Sequence, residues 1–219
     1  TTLGVVGRTG SGKTTLGRLV LRLWDVDEGA VRVGGVDVRE LTDPALRSTV
    51  AVVTQDVEVF RATVRDNLTL FGTRPADDRA LTDVLERVGL GRWLTAQPVG
   101  LDTALDGDTS LSAGQAQLLA FARVFLADPA VVVLDEASSR LDPATEALVA
   151  AATTELLSGR TGIVIAHRLS TLDEVDTIAT MEAGRLVEHG DRAELAADPA
   201  SRYARLRRAG AATIDEALT

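Results

Sequence analysis

The sequence predicts an α/β fold: a mainly parallel sheet, a small antiparallel β element and an inserted helical subdomain. Three observations carry that expectation. A short apolar strand runs through a glycine-rich turn into a helical pattern at the start of the chain; two β-branched runs after Pro129 flank a helical stretch; and residues 57–127 between these regions read mainly as helix.

Taken in order, Leu3, Val5 and Val6 form a short buried strand ending at Gly7, and Leu16, Leu19, Val20 and Leu23 then recur at helical spacing. Val31 and Val33, followed by Val36 and Val38, alternate around Gly34-Gly35, the pattern of a two-residue hairpin. Within 57–127, Leu81, Val84, Leu85 and Val88 share one helical face, and Gly89 is placed as a C-terminal stop. The continuous run Ala130 to Leu134 suits a central parallel strand covered on both faces, and Ile163 to Ala166 repeats it after a helix near Pro143 to Leu157. Two short strands near Ile178 to Met181 and Arg185 to Val187 precede two amphipathic helices that end around Arg208. No internal repeat, heptad or low-complexity linker interrupts the 219 residues, so one domain with a subdomain is expected over 1–219.

Composition excludes several function classes. With 23 basic against 32 acidic residues the formal charge is −9, which repels nucleic-acid phosphates; the modest group Arg202, Arg205, Arg207, Arg208 does not offset it, and no nucleic-acid partner is expected. The absence of cysteine removes disulfides, thiolate metal sites and cysteine nucleophiles. The longest apolar stretches, such as Val131 to Leu134 and Leu118 to Ala122, fall far short of the roughly 18 to 20 residues that span a bilayer, so no transmembrane helix is expected in this chain. Lys13 is the single lysine among the 23 basic residues, and that exception asks for a reason.

The reason lies in its neighbours. Gly7-Arg8-Thr9-Gly10-Ser11-Gly12-Lys13-Thr14 fits Gly-x-x-x-x-Gly-Lys-Ser/Thr, placed between a strand and a helix as that pattern requires. Its glycines let successive N–H groups converge on an anion, the following helix adds its positive end, and Lys13 brings a full charge to the β- and γ-phosphates. Thr14 is then a magnesium ligand, and Thr15 a further nucleotide contact. The core is therefore expected to be that of a P-loop NTPase binding ATP and Mg2+.

Val131-Val132-Val133-Leu134-Asp135-Glu136 delivers two carboxylates at the C-terminal end of an apolar strand, where ligands collect in open α/β sheets. Asp135 is placed to hold hydrated magnesium and Glu136 to polarise an attacking water; alone, such a pair fits a solvated turn equally well. Leu111-Ser112-Ala113-Gly114-Gln115 lies just ahead of a helical run carrying Leu118, Leu119, Ala122 and Phe125, which makes it a second candidate anion site at a helix N-terminus.

That pentapeptide resembles the LSGGQ signature of ABC ATPases, and with it the whole chain resembles the family's motif order. Gln55 looks like the Q-loop glutamine, with contacts to nucleotide and magnesium; Ser139-Arg140-Leu141-Asp142 looks like the D-loop; His167, in Val164-Ile165-Ala166-His167-Arg168, looks like the switch histidine. The resemblance implies a catalytic set of Glu136, His167, Gln55 and Lys13. It also implies a head-to-tail dimer in which Ser112, Gly114 and Gln115 serve the partner's ATP, with Asp142 beside it. The segment Phe60 to Leu68 is similar to the one after the Q-loop in exporter-type members, whose ATPase follows a membrane-spanning domain in the same polypeptide. An ATPase at the cytoplasmic face of the cell membrane is what this implies, with a non-hydrolysing regulatory half of a heterodimer, or a soluble ABC ATPase of DNA repair or translation, as the alternatives.

The chain also departs from the family's pattern. Ala113 stands where the family usually has glycine, adding a Cβ and limiting positive φ, which would weaken the partner's site. Ala116 and Leu118 replace the usual basic residues and Asp108 a glycine, drift that would suit a heterodimer with unequal sites. The family's adenine-stacking aromatic precedes the P-loop, whereas only Thr1 to Val6 do here; a domain cut from a longer polypeptide, with weak ATP binding on its own, is the expectation.

Overall fold

In a computed structural model of the chain, residues 1–54, 56–106, 111–135, 141–166 and 169–208 are described. The chain divides into two compact units, Thr1–Val52 with Ala130–Glu136 and Gly159–Thr219, and Val53–Pro129 with Ala137–Ser158.

The first unit is organised by a six-stranded sheet. Its strands are β1 (Thr2–Val6), β4 (Val50–Val53), β5 (Val131–Asp135), β6 (Thr161–Ile165), β7 (Thr177–Glu182) and β8 (Arg185–Asp191), in the spatial order β4-β5-β6-β1-β7-β8. β5, β6, β1 and β7 run parallel, and β8 returns antiparallel to β7. Parallel strands need cover on both faces, and the centre of the sheet has it. On one face the helix α1 (Lys13–Val20) approaches so closely at Gly17 that an added Cβ would stand 3.2 Å from Ile165 Cδ1 and 3.5 Å from Val133 Cγ1. On the other, a Cβ on Gly4 would stand 3.0 Å from Val175 Cγ2 and 3.1 Å from Ile178 Cδ1. Val5, Val20, Val38, Leu46, Val50, Val133 and Ile165 form the core between α1 and the sheet. Each such fully buried side chain contributes roughly 1.5–3 kcal/mol.

The hairpin expected around Gly34-Gly35 is a two-stranded antiparallel element, β2 (Arg32–Val33) and β3 (Val36–Asp37). Two features differ from the expectation. Leu23 does not extend the face of α1: Arg22 takes a left-handed φ of 50°, the Leu23 amide donates to Arg18 O at 2.8 Å, and Leu23 ends 63% exposed. This is the hydrogen bonding that closes many helices, here with a non-glycine residue whose guanidinium donates to Val38 O and Leu41 O. The helix α2 (Asp43–Thr49) and β4 are additions that apolar spacing does not announce. Thr42 caps α2 by accepting from the Ala45 amide, Pro44 sits in its first turn, and the apolar run Val50 to Val53 then forms a strand of the sheet.

The second unit is helical: α3 (Val64–Thr69), α4 (Asp78–Arg87), α5 (Gly91–Thr95), α6 (Ala113–Ala127) and α7 (Pro143–Leu157). It takes in residues 57–127 and, beyond them, α7. α6 is buried almost all round through Leu118, Leu119, Phe121, Ala122, Val124 and Phe125, packing against α3, α4 and α7. Two short helices, α8 (Arg192–Ala197) and α9 (Arg202–Arg208), close the described part of the first unit. No helix among the described residues is long and apolar enough to cross a membrane.

Candidate nucleotide site

The strand β1 leads directly into a loop built to approach an anion. A Cβ on Gly7 would collide with the carbonyl oxygen of Met181 and with Ser11 Oγ, so only glycine fits there. Gly12, at the N-cap of α1, has φ 102°, a conformation L side chains rarely adopt. The loop is tied down by Ser11 N donating to Arg8 O and by Gly184 N donating to Ser11 O, both at 3.0 Å.

This loop leaves donors open. α2, α3, α4, α6, α7 and α8 each have an N-cap side chain accepting from the first turn; α1 has none, and its first turn holds no acidic residue. Ser11 is only 4% exposed, yet its Oγ has no hydrogen-bond partner among the described residues. Lys13 is equally buried, with Nζ donating to Gly7 O at 2.6 Å and to Arg8 O at 3.1 Å. Thr14 and Thr15 are exposed in the first turn of α1. An uncapped helix start, an unpartnered buried hydroxyl and a buried ammonium are what a phosphate chain requires.

Asp135 ends β5 on the same side of the sheet. It pairs in register with Ile165, which pairs with Val5, so Asp135 stands two strand spacings, roughly 10 Å, from β1. It lies two residues beyond Val133, whose side chain faces Gly17 of α1, so the half-buried carboxylate projects on the same α1 face. No cluster of three or more His, Cys, Asp or Glu able to hold a metal exists among the described residues. Thr14 and Asp135 carry oxygen donors, a hydroxyl and a carboxylate, of the kind a hydrated magnesium takes.

Beside the outer half of the loop opens a cavity of about 780 Å³, not foreseen from the sequence and bounded by Arg8, the end of β7 and α9. Arg202 and Arg205 line it; both belong to the basic group too small to offset the acidic charge of the chain. Arg202 pairs with Glu182 at 2.6 Å, and Glu188 of β8 holds the start of α9 by accepting from the amides of Arg202 and Tyr203. The signal in the sequence is the spacing of these arginines along one short helix.

The remaining expected residues lie in the second unit. Ser112 caps α6, accepting from the Gln115 amide at 3.2 Å while Gln115 Oε1 accepts from the Ser112 amide at 2.9 Å. Ala113 is the first residue of α6 and is absent from the residues with positive φ, so the backbone strain anticipated for its side chain does not arise. Gly114 is the tight position instead: a Cβ there would collide with Thr145 Cγ2. Thr145 in turn donates to Asp142, whose Oδ1 also accepts from the amides of Ala144 and Thr145 at the start of α7. The Thr145 hydroxyl, then its amide, hold the Asp142 carboxyl below its ordinary value. Ser112, Gly114, Gln115 and Asp142 thus form one packed set, their polar groups engaged in capping. Gln55, Glu136 and His167 lie outside the described residues, as do Asp108, Ser139 and Arg140.

The sheet and its phosphate loop define a P-loop nucleotide-binding domain. Residues 1–139 match the family model described as ABC transporter, and the chain belongs to that family. It is 40% identical over 197 residues to an ATP-dependent lipid A-core flippase of Salmonella typhimurium, covering 90% of this chain and 34% of that protein. It is 38% identical over 197 residues to a fatty acid ABC transporter ATP-binding/permease protein of Mycobacterium bovis, covering 90% of this chain and 31% of that one. A solved structure of a bacterial Atm1-family ABC exporter with ATP bound matches with a TM-score of 0.84 at 32% identity, over 96% of this chain and 36% of that chain. The chain spans about a third of the length of these relatives.

Proposed function

We propose that this domain hydrolyses ATP to drive export of a substrate across a membrane, as the cytoplasmic motor of a longer polypeptide that carries its own membrane-spanning domain. The observation that carries the reading is the open phosphate loop, with buried Lys13 and unpartnered Ser11, on the same sheet edge and face as Asp135. The exporter names and fused permeases of the relatives support the membrane half.

In this mechanism the amides of Gly10 to Thr15 and the Ser11 hydroxyl grip the phosphates, while Lys13 Nζ turns from Gly7 O and Arg8 O toward the β- and γ-oxygens. Magnesium, when bound, neutralises charge developing between those oxygens; Thr14, Asp135 and Gln55 are the residues that would hold it. Glu136 takes a proton from the attacking water, and His167 donates a hydrogen bond to the γ-phosphate. A second copy or a related domain, paired head-to-tail, completes each site through Ser112 and Gly114.

The purified full-length protein should show steady ATP hydrolysis that Lys13→Ala lowers by at least a hundredfold, in line with the loss of one charged transition-state contact, about 3 kcal/mol. Turnover that survives the change would remove this reading.

A further inference from the structure

The cavity beside the phosphate loop is basic in a chain whose formal charge is −9. Its volume is about 780 Å³, and Arg8, Arg202 and Arg205 line it against one carboxylate, that of Glu182. Arg202 engages this carboxylate at 2.6 Å. Arg8 and Arg205 are exposed, and neither guanidinium makes a hydrogen bond or ion pair among the described residues. Two unpaired positive charges therefore border one space. Ser11, 4% exposed and with an Oγ that has no partner among the described residues, borders it as well.

The walls are tied to one another. The Gly184 amide donates to Ser11 O at 3.0 Å, joining the turn after β7 to the phosphate loop. Glu188 accepts from Thr180 Oγ1 at 3.3 Å and from the amides of Arg202 and Tyr203 at 2.6 and 2.9 Å, joining β7 and β8 to α9. Tyr203, Ala204 and Leu206 are buried, which fixes α9 and leaves Arg205 on its exposed side. A frame built before any ligand arrives lowers the entropic cost of binding one. The cavity is also distinct from the grip on a triphosphate, since Lys13, Thr14 and Asp135 are not among the residues that line it.

We propose that this cavity is a second anion site, which binds the dianion of inorganic phosphate or of a small phosphate monoester through Arg8 and Arg205. Two guanidinium groups balance that charge, and each can offer two parallel N–H donors to phosphate oxygens. The volume lies inside the roughly 300–1,000 Å³ range of small-molecule sites, so an organic group carried by the phosphate has room against Met181 and Leu206. Inorganic phosphate has a source in the adjoining loop if the ATPase reading holds; the site itself does not depend on that reading.

The test is calorimetric titration of the full-length protein, kept saturated with ADP and Mg2+ so that the phosphate loop is filled, with inorganic phosphate and, separately, glycerol 3-phosphate as probes. At least one probe should bind. Arg205→Ala should weaken that binding about tenfold, the size expected when one charge-assisted contact is lost, and Arg205→Glu should abolish it. Inorganic phosphate binding at least as tightly as the ester supports the site with released phosphate as its occupant; tighter binding of the ester supports it with an organic phosphate there. No binding of either probe at millimolar concentration, binding that ADP removes, or binding unchanged in Arg205→Ala overturns the proposal. If Arg205→Glu fails to fold, Arg205→Ala decides alone. If ADP itself does not bind, the ATPase reading falls, and phosphate binding that still depends on Arg205 supports this site independently.

Discussion

Ser11 carries a cost in the nucleotide-free loop. A buried hydroxyl without a partner is worth about 1–3 kcal/mol of lost solvation, and its Oγ has none among the described residues. Ser11→Ala should therefore raise the stability of the nucleotide-free protein by about 1 kcal/mol while weakening ATP binding. Chemical denaturation with and without ATP reads both signs, and a variant destabilised in both states would mean the hydroxyl has another role. Ala113 and Gly114 teach a related lesson at neighbouring positions. A Cβ at Ala113 departs from the family's pattern, yet its place at the start of α6 accommodates one, whereas Gly114 is held to glycine by Thr145.

Among the elements, α7 shows how a site residue also serves the fold. Asp142 caps it through three hydrogen bonds, which lower the carboxyl from its ordinary value of 3.8. A group whose folded value is depressed lends stability above that ordinary value and loses it as the pH falls through the folded one. Asp142→Ala should accordingly lower the melting temperature at pH 7, with the gap to wild type narrowing once the pH drops below about 4; a gap that does not narrow as the pH falls would assign the loss to something other than the charged cap. Strands, hairpin and the long helices were legible because their apolar spacing is decided locally. α2 and β4 were also written in Thr42, Pro44 and Val50 to Val53, but so short a helix running straight into a strand offers neither period for long. For the cavity beside the loop, the arginine spacing along α9 was a signal, but its place next to the loop was not legible, since that depends on Glu188 of β8 bringing α9 into place.

For the whole molecule, the half-site assigned to Lys13, Thr14 and Asp135 needs a signature that a second copy or relative supplies, if the proposed motor is right. Glu136→Gln in the full-length protein should then bind ATP, hydrolyse it poorly and hold its two ATPase domains together, seen as an ATP-dependent cross-link between the phosphate loop of one and Ser112 of the other. A variant that keeps full turnover would take the water-activating role from Glu136. Motif order suggests this arrangement because each motif answers to one chemical demand of a triphosphate.

Lys13 has one more consequence. Its ammonium rests on Gly7 O and Arg8 O, so an arriving phosphate exchanges bonds with the loop instead of adding them, and a departing one leaves an ammonium that its own carbonyls receive again. The loop is in this sense a competitor for its own lysine. If the proposed motor is right, this competition loosens the hold on ATP and eases release of ADP.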